Sequence, residues 1–310
     1  RRLDDGSANH YRIVRLKHKL GTRSMASGEI VLDGAVAYLV GEQGRGFVQM
    51  ADMVNNSRLS NGVRSAGLMR RAVAEAEYVA RERRAFGKAL QDMPLMQRQL
   101  DKLRIYSEQA RTMVLQTAQA LQRSDAGEDG AYALLRILTP MIKFRACRDA
   151  RKVTGDAMEV RGGCGYIEEW SDPRLVRDSH LGSIWEGTSN IVALDVIRAI
   201  KREGSLPVLR DHAAQLLAQT EAATDFKAAL SASMDKAAAL ALRAAEEGGD
   251  RLARAAASGL YHCFTATAMA WEASCTSSAE RMRWAQLVLL HRVLPRDPLA
   301  AGDLPEGWTR

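Results

Sequence analysis

Short apolar segments broken by glycines occupy the beginning of the chain. Tyr11 to Leu16 and Glu29 to Gly34 are rich in residues that favour strands, so each predicts a strand. A third short apolar run, Ala37 to Val40, predicts another strand. Glycines between these runs predict tight turns. We therefore expect a small β-sheet within residues 1–42.

From residue 43 onward, apolar residues recur at the helical spacing of about 3.6 residues. This spacing predicts three long and two shorter helices, which run from Gly46 to about Arg83, Pro94 to about Leu121, Ala131 to about Val160, Pro173 to about Leu181, and Ile191 to about Lys201. Because proline has no N–H to donate, Pro140 should kink the third helix or interrupt its hydrogen bonding locally. Long helices with short connections predict an up-and-down bundle over residues 43–202.

Residues 203–310 are rich in alanine and predict an additional helical domain after a short linker at Gly204 and Ser205. Its expected helices cover roughly 207–223, 225–247, 250–275 and 277–292. Prolines and glycines after Pro295 predict an irregular tail. The predicted fold class is mainly α, with the end of a small β-domain before the bundle and an extra helical domain after it.

The composition is that of a folded, soluble protein, because 46% of the 310 residues are hydrophobic and 26% are charged. Its four cysteines have no Cys-x-x-Cys spacing, so we expect reduced thiols, a cytoplasmic location and no metal site. No apolar run approaches the roughly 18 residues of a membrane span, and no signal peptide is visible at Arg1. The chain opens without Met and close to a strand, which predicts a longer protein upstream.

Positive charge is unevenly distributed along the chain. The net charge of +7 lies within residues 1–200, with 31 basic and 24 acidic residues, whereas residues 201–310 contain 13 of each. Many of the basic residues fall between Arg58 and Arg111. Two interpretations stay open: solvated helix faces balanced by neighbouring glutamates, or a surface for the phosphates of FAD, CoA or nucleic acid.

One acidic residue stands in a segment with candidate chemistry, Ser183-Ile184-Trp185-Glu186-Gly187-Thr188-Ser189-Asn190. The residues after Glu186 are types that open and cap helices, so a loop-to-helix junction is predicted there. Partial desolvation by Trp185 would make Glu186 a stronger base. The alternative is an ordinary carboxylate favoured by the helix dipole. This segment alone leaves both interpretations open.

Two further motifs accompany this segment. Arg84-Ala85-Phe86-Gly87 follows the first long helix, and Arg161-Gly162-Gly163-Cys164-Gly165-Tyr166 lies upstream of Glu186. In this order and at these separations, the three motifs resemble the carboxy-terminal half of the acyl-CoA dehydrogenase family. The resemblance implies a homotetrameric, FAD-dependent oxidoreductase that acts on acyl-CoA thioesters, and it allows an electron-transfer flavoprotein as a partner.

The resemblance also assigns roles by position. Glu186 matches the base that removes the α-proton of the thioester while hydride passes to flavin N5. In some branches of the family the base directly precedes an arginine, and Arg58 matches that arginine. The residue before Arg58 is Ser57, which has no carboxylate and cannot serve as this base. The matched substrate contacts are Arg58 and Trp185. The matched FAD contacts, some of them to the FAD of a neighbouring subunit, are Arg84, Phe86, Gly87, Gly162, Gly163, Gly165, Thr188 and Asn190.

Several further motifs, together with the extra helical domain, resemble one branch of the family: Met69-Arg70-Arg71-Ala72, Pro94-Leu95-Met96, Leu138-Thr139-Pro140-Met141-Ile142-Lys143-Phe144, Ala157-Met158-Glu159-Val160 and Ser183-Ile184-Trp185-Glu186-Gly187. They look like the AidB-type branch, which is associated with the adaptive response to DNA alkylation. That similarity implies an alternative function, a flavoprotein that binds double-stranded DNA through the extra helices and has weak or no dehydrogenase activity. A third hypothesis is a helical assembly subunit without activity. The balanced charge of residues 201–310 favours assembly over DNA binding for these helices, with Arg243, Arg251 and Arg254 as the candidate patch for a DNA contact.

Overall fold

The computed structural model describes residues 2–295 and residue 299. Near the start of the chain, β1 (Tyr11–Leu16) and β2 (Gly28–Leu32) pair as antiparallel strands. Both lie where the two β-rich segments predict them. The apolar side chains of this two-stranded sheet are largely exposed.

The strand predicted at Ala37 to Val40 is wrong, because this segment has no regular structure and its Tyr38 is 80% exposed. A strand requires a neighbouring strand for its N–H and C=O groups, and none in the described chain pairs with this segment. The preceding residue is held by a side chain instead. Asn9 donates to the carbonyl of Val36 and accepts from its N–H, both at 2.9 Å.

Three long helices packed against one another form the centre of the molecule: α1 (Gly46–Glu82), α2 (Pro94–Asp125) and α3 (Ala131–Arg161). They confirm the three long helices predicted from the apolar spacing. A small hairpin made of β3 (Arg84–Ala85) and β4 (Lys88–Ala89) joins α1 to α2.

The third helix continues through Pro140 as one helix. Proline cannot donate a hydrogen bond to the carbonyl of Arg136, four residues earlier, so one helical bond is missing. The fully buried Leu138 and Met141 lie on either side of Pro140 and belong to the core. We infer that this packing holds the two halves of α3 together.

Six further α-helices follow, which makes nine within the described residues and confirms the mainly α fold. They are α4 (Asp172–Leu181), α5 (Ser189–Glu203), α6 (Ser205–Ala218), α7 (Thr224–Ala245), α8 (Ala253–Thr276) and α9 (Ala279–Val288). A π-helical turn (Leu289–Val293) extends α9.

The structure differs from the predicted helix ends after residue 203. Gly204 alone links α5 to α6, with a left-handed φ of +58°. The helix predicted to reach residue 223 ends at Ala218, and the hydroxyl of Thr220 then donates to the carbonyl of Leu216 at 2.8 Å. The Thr220 carbonyl accepts from the Lys227 ammonium at 2.8 Å. The predicted irregular tail after Pro295 falls outside the described residues apart from residue 299.

The apolar core is continuous from the bundle into the helices after Gly204. Tyr261 and Phe264 of α8 are fully buried. They belong to the same cluster as Met141 of α3 and Leu209 of α6. The domain division at residue 203 therefore stays a prediction, and within residues 2–295 no gap in the core marks it.

Arg281 joins α9 to the other helices through a cluster of polar side chains. Its guanidinium pairs with Glu108 of α2 and binds the hydroxyl of Thr112, also on α2. Its Nε donates to Glu272 of α8 at 2.6 Å. Because only 6% of the Arg281 side chain is exposed, these contacts lie largely out of water.

Three features of the described residues bear on membrane, metal and thiol chemistry. No helix among them is long and apolar enough to cross a bilayer. No group of three or more His, Cys, Asp or Glu side chains in this part of the chain is arranged to hold a metal ion. Cysteines 147, 164, 263 and 275 are free thiols, and burial raises the pKa of Cys263 to about 12.

Candidate functional site

Glu186 lies in the loop of residues 182–188 that joins α4 to α5. Its backbone is left-handed, with φ +55°, and Gly187 follows with φ +103°. A left-handed glutamate is uncommon and persists only where surrounding contacts hold the chain. A Cβ on Gly187 would lie 3.3 Å from both Ile191 and Val192. Glycine therefore lets the loop pass close to the first turn of α5.

A buried lysine holds this loop. Lys143 of α3 is 2% exposed. Its ammonium donates to the carbonyls of Gly182 and Trp185, both at 2.5 Å, and to that of Gly187 at 3.4 Å. Its three donors therefore meet three backbone acceptors. Burial is the main cause that lowers the pKa of Lys143 from its ordinary value.

Arg58 of α1 also contacts the loop. Its Nε donates to the carbonyl of Glu186 at 3.1 Å, and its Nη1 pairs with Asp195 of α5 at 2.8 Å. Asp195 is 2% exposed and also pairs with Arg136 at 2.8 Å and with Arg198 at 3.2 Å. The predicted substrate contact at Arg58 is therefore part of a network that joins α1, α3 and α5 to the loop. Burial lowers the pKa of the Arg58 guanidinium.

The Glu186 carboxylate makes no hydrogen bond or ion pair with any residue that the structure describes. Lys143 and Arg58 contact the loop but bind backbone carbonyls and Asp195 instead, and Arg151 donates to the Ser183 hydroxyl at 3.3 Å. The Glu186 side chain is half-buried, and Trp185 beside it is 38% exposed. A carboxylate whose lone pairs are free can accept a proton from a ligand.

Arg84, Phe86 and Gly87 lie on the β3–β4 hairpin. Phe86 and Gly87 form its tip, with φ angles of +51° and +78°, as in a type I′ turn. The Phe86 ring is 98% exposed, and Arg84 is also exposed, with its Nη2 3.5 Å from the Gly87 carbonyl. Packing within this chain does not require an aromatic ring at the tip.

The glycine motif forms a 3-10 turn directly after α3. Gly162 has φ +73°, and a Cβ there would lie 3.0 Å from Nη1 of Arg83. A Cβ on Gly165 would lie 2.3 Å from the carbonyl oxygen of Met158, whereas one on Gly163 would meet nothing within 4 Å. The chain's own packing therefore requires Gly165, and its backbone requires Gly162, while Gly163 keeps the surface open.

Arg161 anchors this turn to the bundle. Its Nε pairs with Asp172 and its Nη2 with Glu75, each at 2.7 Å, and its guanidinium lies 4.6 Å from the Trp170 ring. The Nη1 of Arg83 donates to the Arg161 carbonyl at 3.0 Å. The glycine turn therefore lies next to Arg83, the residue that precedes the β3–β4 hairpin.

Two arginine side chains contact the first turn of α5. This helix begins at Ser189 without a side-chain cap, although Thr188 precedes it. Arg148 of α3 donates to the Ser189 hydroxyl and Arg254 of α8 donates to the Asn190 amide oxygen, both at 3.3 Å. Neither arginine forms an ion pair within residues 2–295. Burial lowers the pKa of Arg148, and the nearby Arg254 lowers it further.

Four residues that build the site were not predicted from the sequence: Arg136, Lys143, Arg148 and Asp195. A signal exists for Lys143, because it is a lone charge among the apolar residues Met141, Ile142 and Phe144. The other three carry no comparable signal, since their partners come from distant parts of the chain. Of the predicted DNA patch, Arg254 is the member that contacts the site, through Asn190.

The sequence is similar to known proteins over its central part. A family model described as "Acyl-CoA dehydrogenase, C-terminal domain" matches residues 44–201. The chain is 35% identical over 223 residues to acyl-CoA dehydrogenase family member 11 of Caenorhabditis elegans, which covers 71% of this chain and 36% of that protein. It is 37% identical over 204 residues to the putative acyl-CoA dehydrogenase AidB of Escherichia coli K12, with 66% and 37% covered.

The fold is similar to that of a solved structure, Caenorhabditis elegans ACDH-11 in complex with C11-CoA. The TM-score is 0.88 at 30% sequence identity, and the match covers 95% of this chain and 53% of that one. The chain spans little more than a third of the length of the two curated relatives, 36% and 37%.

Proposed function

Because this chain belongs to the acyl-CoA dehydrogenase family, we propose that it provides the base-bearing helical part of a flavin-dependent acyl-CoA dehydrogenase. The observation that carries the proposal is the Glu186 carboxylate, free of polar partners among the described residues on a loop held by Lys143 and Arg58. The substrate class is supported by the similarly folded C. elegans ACDH-11, which was solved in complex with C11-CoA.

The DNA-binding alternative is not favoured over this proposal. The C. elegans relative and E. coli AidB match the chain at nearly equal identity, 35% and 37%, so the similarity does not single out the AidB-type branch. The possible DNA patch also shares Arg254 with the start of α5, next to the proposed flavin contacts.

In the proposed reaction, the Glu186 carboxylate takes the α-proton of the thioester, and the C–H electrons form the new α,β double bond as hydride leaves the β-carbon. A bound flavin supplies the hydride acceptor. Arg58 and Lys143 hold the loop by its carbonyls, so neither cation neutralises the base through a direct ion pair. Glu186 is half-buried, which limits the access of water to the base.

Several residues fit a phosphate-bearing flavin nucleotide. The uncapped start of α5 supplies donors for phosphate oxygens, and so do Arg148 and Arg254, which form no ion pair within residues 2–295. Gly163 leaves open space, and the exposed Phe86 offers an aromatic surface. We propose that FAD is held by Arg84, Phe86, Gly87, Gly162, Gly163, Gly165, Thr188 and Asn190, and that Arg58 and Trp185 border the acyl-CoA.

An anaerobic titration tests this function. The purified holoprotein is mixed with a panel of saturated acyl-CoAs, and the loss of the oxidised flavin absorbance is followed. The proposal predicts that at least one chain length reduces the flavin. A correctly folded, flavin-loaded protein that no member of the panel reduces would contradict the proposed activity.

We further propose a homo-oligomer, a tetramer by family analogy, in which the exposed hairpin of one subunit reaches the flavin of another. Replacing Arg84 by Ala should then lower the FAD content per protomer and weaken the oligomer together, because ligand and subunit contacts stabilise each other. Absorbance of bound flavin and size-exclusion chromatography over a range of protein concentrations measure both quantities.

The matched control for this variant is Arg81→Ala. Arg81 lies three residues earlier, is also exposed, and pairs with Glu82 at 2.9 Å. Its loss should leave FAD content and oligomer size unchanged. Full FAD occupancy in a monomeric native protein, or equal behaviour of the two variants, would rule out the shared site.

A further inference from the structure

Within residues 2–295, the Lys143 ammonium forms no ion pair with a carboxylate. The ammonium is almost completely buried, and its three contacts are backbone carbonyls of Gly182, Trp185 and Gly187. Burial of a charge is costly unless the surroundings satisfy it fully. An apolar side chain would be enough for packing at this position, as at the neighbouring Ile142 and Phe144. The ammonium therefore serves something other than packing.

The three carbonyls belong to the loop whose conformation is unfavourable. Glu186 has φ +55°, a region that non-glycine residues adopt at an energetic cost. Lys143 binds the carbonyls before and after this residue, and Arg58 binds the carbonyl of Glu186 itself at 3.1 Å. Four carbonyls of one short loop therefore point to two cations. This arrangement fixes the backbone from which the carboxylate projects.

We propose that Lys143 is a positioning residue for Glu186: its ammonium holds the 182–187 backbone in the left-handed turn that aims the carboxylate, and it leaves that carboxylate unpaired. This inference rests on the proposed function of Glu186 as the base. The ammonium acts on the reaction only through the loop. A base held within a fraction of an ångström of its working position gains rate from orientation, which a loose loop loses.

Hydrogen exchange of the chain tests the structural half without any cofactor or substrate. Lys143→Met keeps the length of the side chain but removes the charge and all three donors. Amides of the peptides that cover residues 182–190 should then exchange about 10-fold faster or more, because the loop opens more often. The matched control is Lys152→Met on the same helix, which removes an exposed ammonium paired with Asp156 at 2.9 Å. It should leave these peptides unchanged.

Single-turnover kinetics of the flavin-loaded protein test the functional half. With the acyl-CoA that reduces the wild-type flavin fastest, Lys143→Met should lower the limiting rate of flavin reduction by about 10²-fold, within the range expected for a misplaced catalytic group. The dissociation constant for the acyl-CoA and the FAD content should change little. The deuterium isotope effect at the α-carbon should rise, because proton removal becomes more fully rate-limiting.

Lys143→Arg provides a second variant in case the methionine variant fails to fold. It keeps the positive charge but replaces the ammonium by a planar guanidinium. The donors of a guanidinium fit three converging carbonyls poorly. We expect an intermediate rate and intermediate exchange. Wild-type exchange and wild-type reduction rates in the folded variant would overturn the positioning role.

The outcomes separate this inference from the proposed function. If Glu186→Gln abolishes flavin reduction while Lys143→Met leaves both rate and exchange unchanged, the function stands and the positioning role is wrong. If no acyl-CoA reduces even the wild-type flavin, the proposed function fails. Unchanged loop exchange in Lys143→Met would still refute the inference in that case.

Discussion

Glu186→Gln should abolish reduction of the flavin by acyl-CoA while the fold and the FAD content stay as in the wild type. The change is nearly isosteric, and it removes the basic oxygen that accepts the α-proton. The wild-type carboxylate makes no hydrogen bond or ion pair within residues 2–295, so no such described contact is lost with its charge. A general base contributes about 10² to 10⁴-fold, and we expect the reduction rate to fall by at least that factor.

Stopped-flow absorbance of the oxidised flavin measures this effect, and Glu169→Gln serves as the matched control. Glu169 is an exposed glutamate three residues after Tyr166, the last residue of the glycine motif, and lies outside the loop that Lys143 holds. Its variant should reduce the flavin at the wild-type rate. Reduction by Glu186→Gln at the native rate would show that another group takes the proton.

Arg281→Met should cause the largest loss of stability, about 3–5 kcal/mol in the free energy of unfolding. The guanidinium is 6% exposed and satisfies two carboxylates, Glu108 and Glu272, whose side chains are 25% and 17% exposed. Without it, Glu272 keeps no ion-pair partner within residues 2–295 and lies in a partly desolvated place, while Glu108 keeps only its pair with Arg111 at 2.9 Å. Denaturation in urea, followed by circular dichroism, gives the free energy of unfolding.

A nearby arginine provides the comparison. Arg283 pairs with Asp101 at 2.8 Å, but its side chain is 49% exposed. Arg283→Met should therefore cost no more than about 1 kcal/mol, as expected for surface ion pairs. Adding Glu272→Gln to Arg281→Met should restore part of the lost stability, because it removes one uncompensated charge. Equal losses for Arg281→Met and Arg283→Met would contradict the importance of the buried cluster.

The long helices could be predicted from the sequence because their signals are local. The apolar spacing gives the start of α1 at Gly46, and Pro94 marks the start of α2. The strand at Ala37 to Val40 was wrongly predicted, since an apolar run becomes a strand only where another strand lies beside it. The sequence of the run contains no information about that neighbour.

The candidate site was predictable as a set of positions but not as an arrangement. The motif around Glu186 locates the loop, yet its left-handed backbone depends on Lys143, 43 residues earlier in the chain. Asp195 brings together arginines from three helices, and Arg254 reaches Asn190 across 64 residues. Such contacts depend on how the helices pack, which spacing within one helix does not specify.

The continuous core determines how the protein unfolds. Leu209, Tyr261 and Phe264 share one apolar interior with Met141 of the bundle, so the helices after Gly204 form a wall of that interior. Removing these helices would expose a large apolar surface of the bundle to water, and the bundle would then be prone to aggregate. The helices before and after Gly204 should therefore unfold together, in one cooperative transition. A calorimetric scan should record one endotherm, with a calorimetric enthalpy close to the van't Hoff value, in place of two separate melting events.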